Sequence, residues 1–388
     1  MLETFRQEVR RWAAENFPPA LALKDPILFL NDKSVAEADA DFRLWRDRVA
    51  ATGWGVPTWP VEFGGAGLDP AMARIIREEF ARIGAFNPIR SYGAMMLGPT
   101  LLEFGDEAQK ARHLPPIARG ERRWCQGFSE PGAGSDLAAL QTRCEDAGDH
   151  WLVTGQKVWT SGANHADWCF ALVRTDASAK QGGISFLLID MASSGIEVRP
   201  IVLISGQSHF CEVFFDGVQV PKENLVGDVN RGWAIAKRLM EHERDSLAEG
   251  RGEGADLVSL ARRVVGETAD GRIADLDLRG RLIANAMRAQ AFTLTTARTA
   301  REAAAGQAPP LVSVLKNLGA DVAQAHAELA AEILGFNGLG WEGPGYAAEE
   351  LDAVRAWLHS RAFSIYGGTQ EIQSNITAKR VLGLGDGP

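Results

Sequence analysis

The feature that most constrains this chain is a double change of hydrophobic period. Over roughly the first 120 residues, apolar side chains recur every three or four positions. Phe5, Val9 and Trp12 share one helical face, and Phe42, Trp45 and Val49 repeat the pattern until Gly53 stops it. From about position 124 the pattern becomes short runs rich in β-branched and aromatic residues, such as HWLVTGQKVWTSG, DWCFALVRTD, GISFLLIDM and CEVFFDGVQVP, punctuated by Gly, Asp and Ser. From about 230 the helical period returns in long alanine-rich stretches separated by Gly/Pro breaks. This order predicts an α+β multidomain chain. It has an N-terminal helical domain at 1–122, a central antiparallel β domain (barrel or sandwich) at 123–228, and a C-terminal four-helix bundle at 229–388.

Length and charge narrow the function. A chain of 388 residues with 46 % apolar content has room for two or three cored domains. A net charge of -9, with no basic patches interleaved with aromatics, argues against nucleic acid, so any phosphate site must be built locally. Cys125, Cys144, Cys169 and Cys211 form no C-x-x-C pair, and the seven histidines form no H-E-x-x-H, so no metal site is signalled and a reduced cytoplasmic protein fits. The opening MLETFRQEVRRWAAENF is charged and amphipathic, unlike a signal peptide. No apolar run approaches the ~20 residues of a membrane-spanning helix.

Four stretches have the composition of chemistry. FSEPGAGSD, Phe128 to Asp136, combines glycines that allow close backbone approach with the hydroxyls of Ser129 and Ser135. Its spacing is not a G-x-G-x-x-G fingerprint, and it also reads as a plain turn. GQKVWTSG sets Trp159 beside Thr160 and Ser161, a pattern for stacking on a flat ring and bonding its edge; a core tryptophan in a strand is the simpler reading. In SIYGGTQEIQ, Gly367 and Gly368 lead to Thr369, a helix N-cap, which makes an anion or carbonyl site or only a capped terminal helix. In GWAIAKRLMEHERDSLA, Trp233, Ala236, Met240 and Leu247 fall within a sector of about 60°, with Leu239 just beyond one edge. Glu243 falls between Leu239 and Ala236, on the apolar side of the helix. A carboxylate there is either paired, with Arg244 or another helix, or has its pKa raised and serves as a base.

Together, and in this order and spacing, GFSEPGAGSD, GQKVWTSG, VPKENLVG and IYGGTQEIQ resemble the acyl-CoA dehydrogenase family, and the likeness runs over nearly the whole chain. The resemblance implies FAD bound between the β domain and the helical bundle. Gln126, Phe128 and Ser129 would line the flavin, Trp159, Thr160 and Ser161 would flank it, and Thr369 and Glu371 would approach it from the last helix. Gly335, in EILGFNG, would reach a neighbouring subunit's FAD, and Ser135 would face the CoA. The implied reaction is α-proton abstraction with hydride transfer from the β carbon to flavin N5, giving a 2-enoyl-CoA. The backbone N–H of Gly367 would serve as an oxyanion donor.

Two departures stand out. Many family members carry the catalytic glutamate in a YEGT-type sequence, where this chain has Gly367. A second branch has glycine or alanine there and places the glutamate on the first long helix of the C-terminal bundle, just before an arginine. Glu243 followed by Arg244 matches that placement, so Glu243 is the expected base and Arg244 an orienting or substrate-binding residue. The Arg-x-x-Phe motif that contacts a partner's FAD in some members has no clean equivalent in RRVVGETADGRIADLDLRGRL. The expected partners are an acyl-CoA, electron-transferring flavoprotein as acceptor, and further subunits in a homodimer or homotetramer. Three alternatives stay open: the catalytic or flavin-binding subunit of a heteromeric enzyme for steroid side chains or dicarboxylyl-CoA, a non-catalytic scaffold, and an oxidase. The missing side chain at Gly367 points to a branched, cyclic or otherwise bulky acyl group.

Overall fold

The computed structural model describes residues 2–24, 26–249, 256–304 and 311–385, without the side chains of 23, 27, 30, 31, 243–249, 300, 303 and 304. The chain divides into two compact units: 1–201 with 208–243, and 202–207 with 244–388.

The first unit opens with helices whose ends follow local chemistry. The Ala40–Thr52 helix starts at Asp39, whose carboxylate accepts from Phe42 N–H, and ends at Gly53 in the left-handed region (φ +70°). Asp69 caps Pro70–Arg82, with proline in the first turn. Asp106 and Gln109 form a reciprocal capping box at the start of Glu107–Ala118. The faces read from the sequence are the buried ones: Val9, Phe42, Trp45 and Val49 all lie in the core. Trp12 packs on Trp45 and Trp54 at ring distances of 5.5 and 4.9 Å. Large aromatic side chains dominate the apolar burial of such a layer.

The sheet has eight strands: β1 (Trp124–Gly127), β2 (Arg143–Asp146), β3 (His150–Ser161), β4 (Trp168–Arg174), β5 (Ile184–Asp190), β6 (Ile196–Ile201), β7 (Phe210–Pro221) and β8 (Leu225–Val226). Their order is β6-β7-β3-β2-β4-β5-β8, with β1 pairing on β4. The sheet is not purely antiparallel: β1 runs parallel to β4, and β2 meets β4 in parallel at Arg143 and Arg174. Period-two patterning identifies strands but carries no direction, so the sequence could not show this.

β4 and β5 explain why the runs WCFALV and ISFLLI are apolar at nearly every position. Trp168, Phe170, Leu172, Ile184, Phe186 and Leu188 join the core of the N-terminal helices. Cys169, Ala171, Val173, Leu187 and Ile189 point the other way, into a second core with Val153, Val213 and Phe215. A strand covered on both faces needs no polar side. All four cysteines are unbridged and buried. Burial pushes the Cys144 thiol up to about 12, so it packs as a small apolar group.

The helix Gly232–Glu249 begins against β5. A Cβ on Gly232 would lie 2.4 Å from the Ser185 carbonyl carbon, so only glycine permits this approach. Just before it, Asn230 accepts from Thr175 Oγ1 at 2.6 Å and donates its N–H to Ser185 Oγ at 2.8 Å. The buried stripe runs through Ile235, Ala236 and Leu239, while Trp233 and Met240 are half-buried. The expected sector is therefore rotated: Leu239 is at its centre, not its edge, because this helix packs on the N-terminal core.

The second unit is helical: Leu257–Val264, Leu276–Ala304, Val312–Ile333, Ala348–Ser360 and Gln370–Arg380. Its core joins Leu257, Leu260, Leu278, Leu282, Leu329 and Ile333. A bidentate pair from Arg281 to Glu332 (2.5 and 2.6 Å) ties two of the helices on the outside.

Candidate functional site

In the first unit two expected segments adjoin. β1 delivers Gln126, half-buried and opposite Phe170, to the corner that follows. The Phe128 ring turns inward, edge-on to Phe170 and Phe186 at 6.0 and 6.2 Å, and packs in the core. Ser129 is half-buried, and its carbonyl accepts from Val158 N–H at 2.9 Å, which joins the corner to the end of β3. Glu130 and Ala133 exchange two backbone hydrogen bonds (3.1 and 3.0 Å), closing the turn. Beyond it Ser135 is exposed, and the space around Gly132 and Gly134 is open.

β3 carries a bulge at the same place. Lys157 pairs with Val213 and Thr160 with Cys211, so β3 holds one residue more than β7 over this interval. The extra length puts Trp159 at φ +60°, one of two non-glycine residues in the left-handed region among those described. Such a conformation costs about 1 kcal/mol or more and gathers at functional sites. It turns the indole outward, 56 % exposed, against the edge of Phe210 at 6.2 Å. Next to it the Thr160 hydroxyl is buried without a hydrogen-bond partner among the described residues, and Ser161 is half-buried. An exposed flat ring beside a buried, unanswered hydroxyl is a setting for a planar ligand with a polar edge.

The second unit holds the other expected residues. Gly335 (φ +56°) turns the chain out of Val312–Ile333 and leaves Phe336 exposed at 91 %. Gly367 and Gly368 both have left-handed φ, +65° and +89°. None of the described residues lies within 4 Å of where a Cβ on Gly367 would stand. Thr369 Oγ1 caps the last helix by accepting from Ile372 N–H at 3.3 Å. Glu371 sits exposed in its first turn, its carboxyl lowered by its own backbone N–H and by Thr369. Sequence reasoning missed the residues that hold this turn. Gln373, buried, donates to the Gly367 carbonyl at 3.0 Å. Asn317 donates to the Gln370 carbonyl at 3.3 Å, and Gln370 donates to Asp321 at 2.8 Å. Amides inside helices carry no signal in sequence that separates a tether from a solvated side chain.

Glu243 and Arg244 lie within the Gly232–Glu249 helix, but their side chains fall outside the described residues. Glu243 is four positions after Leu239 and seven after Ala236, so its backbone position continues the buried stripe. Among the described residues no group of histidines, cysteines and carboxylates could hold a metal. None of their helices is long and apolar enough to cross a membrane.

The helical, sheet and helical regions match three family descriptions in sequence. Residues 2–121 match the acyl-CoA dehydrogenase N-terminal domain, 125–218 the middle domain, and 230–382 the C-terminal domain. The chain belongs to the acyl-CoA dehydrogenase family, whose members are oxidoreductases that use FAD. It is 38 % identical over 389 residues to the acyl-CoA dehydrogenase IpdE1 of Mycobacterium tuberculosis, covering 99 % of this chain and 98 % of that one. Among solved structures it is similar to the Tcur3481-Tcur3483 steroid ACAD (27 % identity, TM-score 0.80, 100 % and 98 % of the two chains). It is also similar to the ChsE4-ChsE5 complex of Mycobacterium tuberculosis (26 % identity, TM-score 0.75, 100 % and 98 %).

Proposed function

We propose that this chain is an FAD-dependent acyl-CoA dehydrogenase that removes the α proton and β hydride of an acyl-CoA to give a 2-enoyl-CoA. The observation that carries the reading is the corner at Trp159 and Thr160. A strained backbone turns an indole outward beside a buried hydroxyl that has no partner among the described residues. That pairing fits an isoalloxazine ring, whose faces are apolar and whose edge is polar. Gln126, the Phe128 backbone, Ser129, Trp159, Thr160 and Ser161 would line or flank it; Thr369 and Glu371 are further proposed flavin contacts, and Gly335 a contact to a neighbouring subunit's FAD. Bound FAD supplies the acceptor for the β hydride.

Glu243 takes the α proton in this reading. A thioester's α proton is weakly acidic, so the base must be positioned and the developing enolate oxygen stabilised. The N–H of Gly367 offers that stabilisation, and the Gly-Gly turn supports it by placing no side chain there. Arg244 and Ser135 bind substrate. The open space at Gly367 and the likeness to a steroid ACAD support a bulky, ring-bearing acyl group.

The proposal extends to a cytoplasmic enzyme with three domains at 1–122, 123–228 and 229–388, and to electron-transferring flavoprotein as acceptor. It includes assembly into an oligomer, a homotetramer in the first instance. Leu276, Ile283, Met287 and Leu294 are all exposed, at spacings of seven, four and seven along one helix, which supports a face covered by another chain. A heteromer is the second reading, favoured by the two-chain names of the steroid ACAD and ChsE4-ChsE5 relatives. Anaerobic titration of the purified protein with a panel of acyl-CoAs tests the whole. Flavin bleaching is expected, fastest with ring-bearing acyl groups. Fastest bleaching by short straight chains overturns the bulky-substrate part, and a coloured protein that no acyl-CoA bleaches overturns the enzyme.

A further inference from the structure

Lys157 is the one lysine buried among the described residues, with no exposed surface, at the edge of the Trp159 corner. Its ammonium donates to Glu130 Oε1 at 2.7 Å and to the Phe128 carbonyl at 3.1 Å. Glu130 is also buried, and its oxygens accept the N–H groups of Gln141 (2.5 Å) and Thr142 (2.9 Å). The stem of Lys157 passes β1 at Gly127, where an added Cβ would meet Lys157 Cγ at 3.5 Å and Cys169 Sγ at 2.8 Å. One ion pair therefore joins the end of β3, the 128–130 corner and the entry to β2.

A buried pair is a poor way to stabilise a sheet, because both ions lose their water and apolar groups of the same volume often do as well. What this pair does that apolar groups would not is fix two polar backbone segments relative to each other. Burial lowers the Lys157 ammonium and works against the Glu130 carboxylate, but the Lys157 charge and the N–H donors keep that carboxylate below its ordinary range. At 2.7 Å the contact between Lys157 and Glu130 is short and directional.

We propose that Lys157, through Glu130 and the Phe128 carbonyl, is a positioning residue that sets Ser129 against Trp159 and Thr160 and so shapes the flavin-facing corner. This rests on the flavin reading above. The single Ser129–Val158 backbone bond would otherwise be the direct link between the two segments at this point.

The test uses Lys157→Met and the isosteric Glu130→Gln in the full-length chain. FAD affinity, the visible flavin spectrum and the flavin midpoint potential are measured beside thermal unfolding of the apoprotein. The expected result is cooperative unfolding in at least one variant, an FAD dissociation constant raised at least tenfold, and a shifted potential and altered spectrum in the fraction that still binds. A purely structural pair would lower the unfolding temperature and leave the potential and spectrum of bound flavin alone. FAD affinity within twofold of the unsubstituted chain with an unchanged spectrum overturns the proposal. Loss of the folded state in both variants also overturns it, by assigning the pair to sheet stability. An unsubstituted chain that binds no FAD rejects the flavin reading itself, an outcome that precedes any comparison of variants.

Discussion

The side-chain amide of Gln373 donates to the carbonyl of Gly367 at 3.0 Å, and it fills the space a Cβ on Gly368 would need, 2.4 Å from its nitrogen. The last helix thus reaches back to hold the turn that precedes it. Gln373→Leu removes that bond while keeping the volume, which should cost about 1 kcal/mol of stability. If the Gly367 N–H stabilises the enolate, kcat should fall about tenfold or more for a donor displaced or loosened in this way, with FAD content unchanged. Steady-state kinetics beside flavin absorbance decides it; an unchanged kcat would remove Gly367 from the mechanism.

Acid should weaken the first unit in two separate windows, the upper one set by His113. Its ring is buried, edge-on to Trp124 and Trp168 at 5.2 and 5.0 Å. Burial, helped by the Arg112 charge, lowers it to about 4. The unfolded chain therefore binds a proton here first, near pH 6.5, and the folded chain only near 4. The stability held by the neutral ring is full above about 6.5 and is lost as pH falls towards about 4. Urea midpoints of the native chain should drop between pH 7.5 and 5, and His113→Phe should shrink that drop. Equal drops in both proteins would contradict the assignment.

Glu79 sets the lower window. It is 2 % exposed and accepts from Arg10 (2.8 and 3.0 Å), Arg6 (3.0 Å) and Arg82 (3.0 Å), tying the first helix to Pro70–Arg82. The Arg10 bonds, with those from Arg6 and Arg82, outweigh burial and hold its carboxyl at about 2. Its contribution is present above about 4.5 and is lost as pH falls through about 2. Glu79→Gln should cost about 2 kcal/mol at pH 7, in the range for hydrogen bonds to charged groups, and nearly nothing near pH 2. Chemical denaturation at the two pH values measures it. An equal loss at both would mean that shape rather than charge carries the contact.

The apolar stripe Leu276, Ile283, Met287 and Leu294 predicts an assembly state. Ile283→Glu with Met287→Lys places opposite charges at i and i+4 on an exposed face, so the folded subunit should be unharmed. Mass photometry should show a smaller species than the native chain forms, with an unfolding midpoint of the isolated subunit that stays intact. The same mass for both proteins would leave the stripe without a role in association.

The parts of this molecule legible in its sequence are those where one physical rule dominates. The apolar runs of β4 and β5, the stop at Gly53 and the cap at Thr369 each follow from a local signal. The site was legible as motifs but not as geometry. Trp159 read more simply as core and stands outward, because a one-residue bulge reverses its side. Phe128 stays a proposed flavin contact through its backbone, but the sequence did not show that its ring packs on two phenylalanines of β4 and β5. Lys157, Glu130 and Gln373 drew no notice at all, since a charged or amide residue is ordinarily solvated and only tertiary neighbours show otherwise.

The central claim is that the base lies on the Gly232–Glu249 helix and not in the Gly-Gly turn, and one substitution tests it. Stopped-flow reduction of the bound flavin should be compared for the native chain and Glu243→Gln, anaerobically, with the acyl-CoA that bleaches the native protein fastest. The account predicts that Glu243→Gln keeps its FAD and is reduced at least about a hundredfold more slowly, as expected when a general base is removed. Reduction at a near-native rate would contradict it.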